Sequence, residues 1–397
     1  MMHHLAVSKA QFDGVPMTTP NQIVVSAVSG ARQLSLFIKL PRLLYNDQPS
    51  YVPPLDMEQR DMLHPRRSPF FSHGSACYFL AWRDGKPIGR ISAQIDTLAL
   101  EQPGPRTGFF GALDALETDC VKPLLEAATA WLKAQGIERI RGPWTLNPHG
   151  ESGTMIEGQM EPPMIGTGWH PATLGPAIEQ AGFSKAMDLL SYRMETSLAA
   201  EQANRIPTNL RERLGGITVR GLRKDHLDED TDILRSIYND AWEGTWGNVP
   251  ITEIEMRSLL KALKPVLRPE QYVLVEFKGE PVAIALVIPN IFDLNGDLGG
   301  APSPVGWVKL ASRLVMHDFY SARVILLGVK KKLAGTALSA IIPGLLIDEL
   351  MKRGRELPYR TIELGWVLET NMAIRNLIER IVPEPYKRHR MYEKLLS

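Results

Sequence analysis

Val324-Ile325-Leu326-Leu327-Gly328-Val329-Lys330-Lys331-Lys332-Leu333-Ala334-Gly335-Thr336-Ala337 is the stretch on which the fold turns. Up to Val329 it is apolar on both faces, as in a strand buried at the centre of a sheet. A run of lysines and a glycine follow, and then Leu338, Ile341, Ile342, Leu345 and Leu346 recur at helical spacing. Strand, basic glycine-containing turn and helix, in that order, aim unpaired backbone N–H groups and a helix N-terminus at an anion. The G-x-x-x-x-G-K-[ST] order of a P-loop is absent, and so is the G-x-G-x-x-G of a dinucleotide fold. Pro343 and Gly344 fall inside the helical pattern and predict a kink near Ser339 or a helix in two pieces.

Upstream, Tyr272 to Ala283 reads as a hairpin turning at Gly279. The same Tyr-to-Gly-to-Pro spacing occurs at Tyr78 to Gly89, a hairpin with an Asp84-Gly85 turn. The duplication extends beyond the hairpins. The first is followed by a strand (107–112), a helix (120–135), a strand (137–144) and a helix (172–181). The second is followed by the strand at Val324, the helix after Gly335, a strand (361–367) and a helix (371–380). The chain therefore reads as mixed α/β, built from two copies of one unit. Residues 1–22 form a tail, 23–198 a first domain, 199–216 a polar linker and 217–397 a second domain. Where the second copy has Lys330 to Lys332 and Gly335, the first has Asp114, Glu117 and Asp119. Carboxylates at a helix start suit the macrodipole but repel a pyrophosphate, so only the second copy is expected to hold an anionic cofactor.

Composition narrows the class. The 397 residues are 44% hydrophobic and 22% charged with net charge +1, enough to bury two cores and without the basic face a nucleic-acid partner needs. Cys77 and Cys120 cannot form a disulfide framework and read as small core residues of a protein from a reducing compartment. No apolar run approaches the roughly 20 residues of a membrane-spanning helix. Residues 1–22 lack the apolar core and cleavage site of a signal peptide.

The K-x-x-G-x-A run from Lys332 to Ala337 resembles the pyrophosphate loop of the GNAT superfamily of acyltransferases. The order of hairpin, central strand, basic loop, helix, strand, and a helix opening at Asn371 is similar to the GNAT fold. The resemblance implies two tandem GNAT-like domains, each a mostly antiparallel twisted sheet flanked by helices, over most of residues 23–397. More narrowly, several blocks resemble a bacterial family of tandem GNAT-like proteins that includes the bacterial ceramide synthases. These are Gly142-Pro143, Glu151-Ser152-Gly153, Pro162-Pro163, Ile237 to Trp242 with Trp246-Gly247 and Pro250, and Trp366 to Asn371. Ceramide synthases join a fatty acyl group from acyl-CoA to the amine of a sphingoid base. The resemblance thus implies acyl-CoA as co-substrate, no metal, and a sphingoid base or other lipid amine as acceptor. It also implies a cytoplasmic location, or peripheral contact with the inner membrane. A non-catalytic acyl-CoA-binding or scaffolding protein, and an enzyme acylating another amine, stay open as alternatives.

In GNAT enzymes the two central strands part and the thioester enters the gap. Carried over to this chain, Leu327, Gly328 and Val329 offer main-chain N–H groups to the acyl carbonyl and pantetheine, an oxyanion-hole arrangement. Lys331, Lys332, Gly335, Thr336 and Ala337 hold the pyrophosphate. Asn371 lies near pantetheine, or is simply an N-cap. The amine must react unprotonated, so a base is required. Glu363 alternates with Ile362 and Leu364, Glu369 stands just past the strand end, and Glu151 shares a loop with His149. Their plainer readings are an exposed strand carboxylate, a first-turn helix carboxylate and a solvated loop. Tyr386 and Tyr392 occupy the final strands, where a thiolate-protonating tyrosine often sits in the superfamily; as plainer readings both are half-buried aromatics. Tyr238, Asn239, Trp242, Trp246 and Trp366 form an aromatic-amide set for the substrate. Tyr238 and Trp242 share one helix face and line either a lipid tunnel or the core. The loop from Met155 to Trp169 is apolar enough to meet an acyl chain or a bilayer.

Overall fold

Both predicted hairpins form, because each turn places two consecutive residues at positive φ. These are Asp84 and Gly85 at +48° and +73°, and Lys278 and Gly279 at +55° and +80°. That geometry matches the right-handed twist of the strands it joins. The structure, a computed structural model, describes residues 20–197 and 215–396. Most of the predicted tail (1–22) and linker (199–216) lies outside the described residues.

The first copy contains β1 (Ile23–Ala27), α1 (Gly30–Leu44), α2 (Asp56–Leu63), β2 (Gly74–Arg83), β3 (Lys86–Asp96), α3 (Thr97–Leu100) and β4 (Thr107–Ala115). It continues with α4 (Val121–Ala134), β5 (Arg139–Gly142), β6 (Thr154–Glu157), α5 (Leu174–Gln180) and β7 (Ser184–Glu195). The second contains β8 (Ile217–Arg220), α6 (Leu227–Trp242), α7 (Glu253–Leu263), β9 (Tyr272–Phe277), β10 (Glu280–Pro289), α8 (Phe292–Asn295) and α9 (Pro304–Met316). It continues with β11 (Ser321–Val329), α10 (Ala337–Gly354), β12 (Thr361–Leu368), α11 (Met372–Ile378) and β13 (Lys387–Leu395).

The described strands form one mixed, mostly antiparallel sheet in the order β1-β2-β3-β4-β5-β13-β7-β12-β11-β10-β9-β8, with β6 paired to β13. The last strand of each copy crosses to the other. β13 lies between β5 and β7, and β7 pairs with β12 on its other side. The two copies thus share a seam made by exchanged strands. Alternation along β9 and β10 sends side chains to opposite faces. Tyr272, Leu274, Ile284 and Leu286 pack on α6 and α7 through Leu234, Ile237 and Met256. Val273, Val275, Ala283 and Ala285 pack on α10 through Ile342, Leu345 and Leu346.

Two prolines sit within helices. In α1, Pro41 leaves the Phe37 carbonyl without its helical donor, and Arg90 Nη1 supplies one at 2.8 Å while its Nε pairs with Asp114 at 2.7 Å. In α10, Pro343 does not divide the helix as the sequence suggested. The helix runs as one element of 18 residues, because only the Ser339 carbonyl loses a donor while Ile342, Leu345 and Leu346 anchor both sides of the proline.

The copies differ where the central strands meet. Each retains a bulge beside its central strand, at the β3–β4 register shift and at the β10–β11 shift that leaves Ile325 unpaired. In the second copy, β11 and β12 pair in parallel from Ser321–Thr361 to Val324–Leu364 and then part. In the first, β4 and β5 pair as far as Phe109–Arg141, and the chain after β5 stays against β4. The Trp144 amide donates to Phe110 O at 2.8 Å, and Gln94 donates to Trp144 O. Gly111 is needed for that closeness, since a Cβ there would overlap the Trp144 carbonyl. Gly111→Ala should therefore destabilise the protein by about 1–3 kcal/mol, the usual cost of overpacking; thermal unfolding that leaves the melting temperature unchanged would refute the close approach.

Candidate active site

The parting of β11 and β12 opens a cavity of about 700 Å³ that reaches both faces of the sheet. Tyr238, Trp242, Trp246 and His149 line it on the α6 face. Ile347, Leu350 and Met351 of α10 with Ile374 and Ile378 of α11 line it on the other. Ile325, Leu326 and Leu327 form one wall of the gap, and Gly365, Trp366 and Val367 the other. Past Val324 the β12-facing edge of β11 has no ladder partner, so main-chain polar groups face the cavity. Gly328 lies under Trp242, whose ring would be 2.5 Å from a Cβ at that position. Trp242 in turn stacks on Tyr238 with centroids 4.9 Å apart.

At the end of β11 the chain makes a short turn, Lys331–Leu333, before α10 begins at Ala337. Gly335 takes φ +76° with open space around it. The amides of Gly335, Ala337 and Leu338 have no acceptor, as expected for a helix start that can receive an anion. The lysines are engaged. Lys331 Nζ pairs with Glu243 at 2.8 Å, its amide donates to Asp240 at 2.6 Å, and Lys332 pairs with Glu280. Such exposed pairs hold weakly and exchange readily for a phosphate. Thr336 donates its hydroxyl to Leu333 O. Asn371 lines the cavity and caps α11, accepting from the Ile374 amide at 3.3 Å.

The candidate bases part company. Glu363 is 1% exposed and on neither cavity wall; it pairs with Arg323 at 3.1 Å, accepts from Tyr386 and lies 3.9 Å from Lys387. Tyr386 is thereby held in the same buried cluster. Burial pushes the Lys387 ammonium down to about 8, against the pull of Glu363. Glu369 is tied to Lys185 at 2.7 Å and accepts from the Asp188 amide at 3.1 Å. Tyr392 is buried in the core of the first copy. Asn239 clamps both backbone groups of Ile251, at 2.9 and 3.1 Å, and does not line the cavity.

Glu151 is different. It lines a second cavity of about 560 Å³, and its loop neighbours His149 and Gly150 line both cavities. Its carboxylate packs over Gly168, where a Cβ would overlap it. Burial, followed by the charge of Asp114, pushes its pKa up to about 7, with Arg90 pulling the other way. Burial pushes the His149 pKa down to about 4, with the Glu255 charge and the Val249 backbone pulling the other way, so the ring is neutral; its Nδ1 lies 3.3 Å from the Tyr238 hydroxyl. The gap thus brings together Leu327, Tyr238, Trp242, Trp246, Trp366, Asn371 and His149, with Glu151 beside them.

Sequence reasoning passed over Arg323, the pin at the fork. Its Nη1 donates to Ile165 O and its Nε to Gly365 O at 2.9 Å, joining β11, β12 and the 162–168 loop. The signal was available: Arg323 and Glu363 face each other in the parallel register. The Met155–Trp169 loop folds inward, with Met155, Met164 and Trp169 buried and Met160 exposed. Among the described residues no helix is long and apolar enough to cross a membrane, and no cluster of His, Cys, Asp and Glu is placed to hold a metal ion.

A sheet with a parted central pair, a bulge at the fork, and an open glycine turn leading into a helix is the GNAT acyltransferase arrangement; the second copy carries all three, and the first keeps the sheet, the flanking helices and the bulge. In architecture the chain is similar to a tandem GNAT protein from the clavulanic acid biosynthesis pathway (TM-score 0.55, 10% identity, 94% of this chain and 98% of that one). It is also similar to a GCN5-related N-acetyltransferase from Sphaerobacter thermophilus (TM-score 0.50, 13% identity, 95% and 97%). No protein-family model matches. Among curated proteins it is 36% identical to the bacterial ceramide synthase of Caulobacter vibrioides, over 96% of this chain and 99% of that one. It is 37% identical to protein YghO of Escherichia coli, over 94% and 95%. The chain belongs to this family of tandem GNAT-like proteins, and with it to the acyl-CoA-dependent N-acyltransferases.

The fork itself is testable. Removing one partner of a buried ion pair costs about 3–5 kcal/mol, because the other charge is stranded. Arg323→Met and Glu363→Leu should each destabilise on that scale, and the double variant by much less than their sum. Additive losses in a denaturant double-mutant cycle would show that the pair does not pin the fork.

Proposed function

We propose that the protein transfers a long-chain acyl group from acyl-CoA to the amine of a sphingoid base. The parted β11–β12 gap supports this reading: it opens a large, mostly apolar cavity beside the strand that leads, through Gly328 and Val329, to the open turn at Gly335. The name of the Caulobacter relative supports the acceptor class.

In this reading the pyrophosphate sits on the amides of Gly335, Ala337 and Leu338, and Lys331 and Lys332 turn to it from Glu243 and Glu280. Pantetheine follows the free edge of β11 past Asn371. The thioester carbonyl meets main-chain donors of that edge, which are already fixed before charge develops on the oxygen. The unprotonated amine attacks the carbonyl carbon from the α6 face, where Tyr238, Trp242 and His149 stand. Glu151 takes the proton the nitrogen sheds as the C–N bond forms. The C–S bond then breaks, and a thiolate of aqueous pKa about 8.5 leaves with little need of an acid.

A carboxylate of pKa about 7 is well matched to removing that proton near neutrality. The base works deprotonated, so kcat/KM should rise with pH through about 7 and fall away below it. Glu151→Gln should lose roughly 10²–10⁴ in kcat/KM together with that limb of the profile, while acyl-CoA affinity stays unchanged. Full turnover by this variant would remove Glu151 from the mechanism. Reversing charge at Lys331 and Lys332 together should weaken acyl-CoA binding about tenfold or more, equivalent to ~1.4 kcal/mol. Unaltered binding in a calorimetric titration would place the pyrophosphate elsewhere.

A further inference from the structure

The first copy has closed its thioester gap, yet it keeps a cavity on the same side of the sheet as the acceptor face of the second. This cavity of about 560 Å³ lies between α1 and α2 of the first copy and α7 of the second, and the 145–151 and 163–170 loops contribute to its walls. It meets the catalytic cavity along His149, Gly150, Ile165, Gly166, Ile251 and Leu259, which line both.

Its chemistry is that of a host for a cationic amphiphile. Ile38, Met62, Phe70, Leu146, Trp169 and Leu263 give it apolar walls. Its charged groups are mostly neutralised within the wall. Asp56 pairs with Arg42 at 3.1 Å, Asp61 with Arg67 at 2.6 Å and Asp114 with Arg90 at 2.7 Å. Glu255 is engaged by Asn147 at 2.8 Å, by Thr252 and by His73. Glu151 and, at the rim, Glu58 have no hydrogen-bonded or ionic partner, so the wall's surplus charge is negative and Glu151 lies at the end that joins the catalytic gap. An anion would meet that surplus; a protonated amine would neutralise it, with its hydrocarbon against the apolar walls.

We propose that this second cavity is the acceptor site: it takes a long-chain primary amine, an ammonium amphiphile that gives up one proton to solvent before it reacts, with the nitrogen at Glu151 and the chain lying between the two copies. The assignment rests on the acyl-transfer reading above and adds to it which cavity serves which substrate. The catalytic cavity keeps the acyl chain. The first copy, whose sequence argues against an anionic cofactor, then contributes a substrate site.

Helix α7 offers a way to test this without touching the catalytic groups. Glu255, Ser258, Leu259 and Ala262 share the helix face toward the cavity, and Ser258 and Ala262 line the second cavity but not the first. Ala262→Trp, and independently Ser258→Phe, should fill the cavity while sparing the buried core. In the full-length protein, binding of octadecylamine and of a C18 sphingoid base is followed by intrinsic tryptophan fluorescence without CoA, with stearate as the anionic control. Acyl-CoA affinity and release of free CoA thiol are followed in parallel. The expected result is amine binding to the wild type, at least tenfold weaker stearate binding, and at least tenfold weaker amine binding in either filled variant, with acyl-CoA affinity unchanged. Amine binding equal in the wild type and both folded variants, or stearate binding as tight as amine binding, overturns the assignment. Absence of CoA release by the wild type with any amine, alongside cavity-dependent amine binding, overturns the acyl-transfer reading instead and leaves the amine site standing.

Discussion

β11 and β12 keep company for four residue pairs and then separate, and the cavity of the second copy depends on where that happens. The separation has identifiable causes. Ile325 is an extra residue on β11 and turns the strand at the point where pairing stops. Two residues before it, Arg323 and Glu363 form a buried ion pair, 3% and 1% exposed, and the same guanidinium bonds the Gly365 carbonyl across the opening. A buried pair of this kind is poor evidence of added stability, but it is intolerant of alternative registers. A slip by one residue along β12 would bury Arg323 against an apolar side chain and leave both charges unpaired. The pair therefore fixes the place of the fork rather than its strength.

The same cluster ties the copies together. Tyr386 and Lys387 at the start of the exchanged β13 join Glu363, and Lys387 also donates to Pro162 O at 2.5 Å. Arg323 donates to Ile165 O in the same loop. A loop of the first copy is thus held by charged groups of the second, at the mouth of the second copy's gap. Beyond the loop, Arg141 of β5 pairs with Glu393 of β13 at 2.7 Å, and Arg390 binds Asp188 of β7 at 2.8 Å. The seam is made of main-chain ladders and these paired charges, so neither copy completes its sheet alone.

Much of this was legible in the chain, for local reasons. The hairpins were readable because a two-residue turn at positive φ carries its own signature, and the repeat because the same spacing recurs at Tyr78 and Tyr272. The loop at Gly335 and the aromatic pair Tyr238 and Trp242 followed from spacing on single elements. The exchange of β7 and β13 was not legible, because the choice of partner strand depends on residues about 200 positions apart, such as Arg390 and Asp188. The placement of the carboxylates was not legible either. Glu363, Glu369 and Glu151 look alike as acids near strand ends. Their surroundings separate them: an arginine behind Glu363, a lysine beside Glu369, and for Glu151 no paired cation, the nearby Arg90 being taken by Asp114. Pro343 misled because a proline in the second turn of a well-anchored helix removes one hydrogen bond and no packing.

The unequal copies follow from the reaction in the reading proposed here. A thioester and a long-chain amine each bring a hydrocarbon chain, and one parted sheet offers one gap. A second complete copy would supply a second thioester gap, which a single transfer does not need. A copy with its gap closed by Trp144 and Gly111 keeps the wall and the cavity but cannot compete for CoA. Its Asp114 carboxylate, within β4, serves there to hold Arg90 and to raise the pKa of Glu151. One of the carboxylates that set the first copy apart from the second thus stands beside the cavity proposed for a cation, and strand exchange keeps that cavity in fixed register with the gap next door.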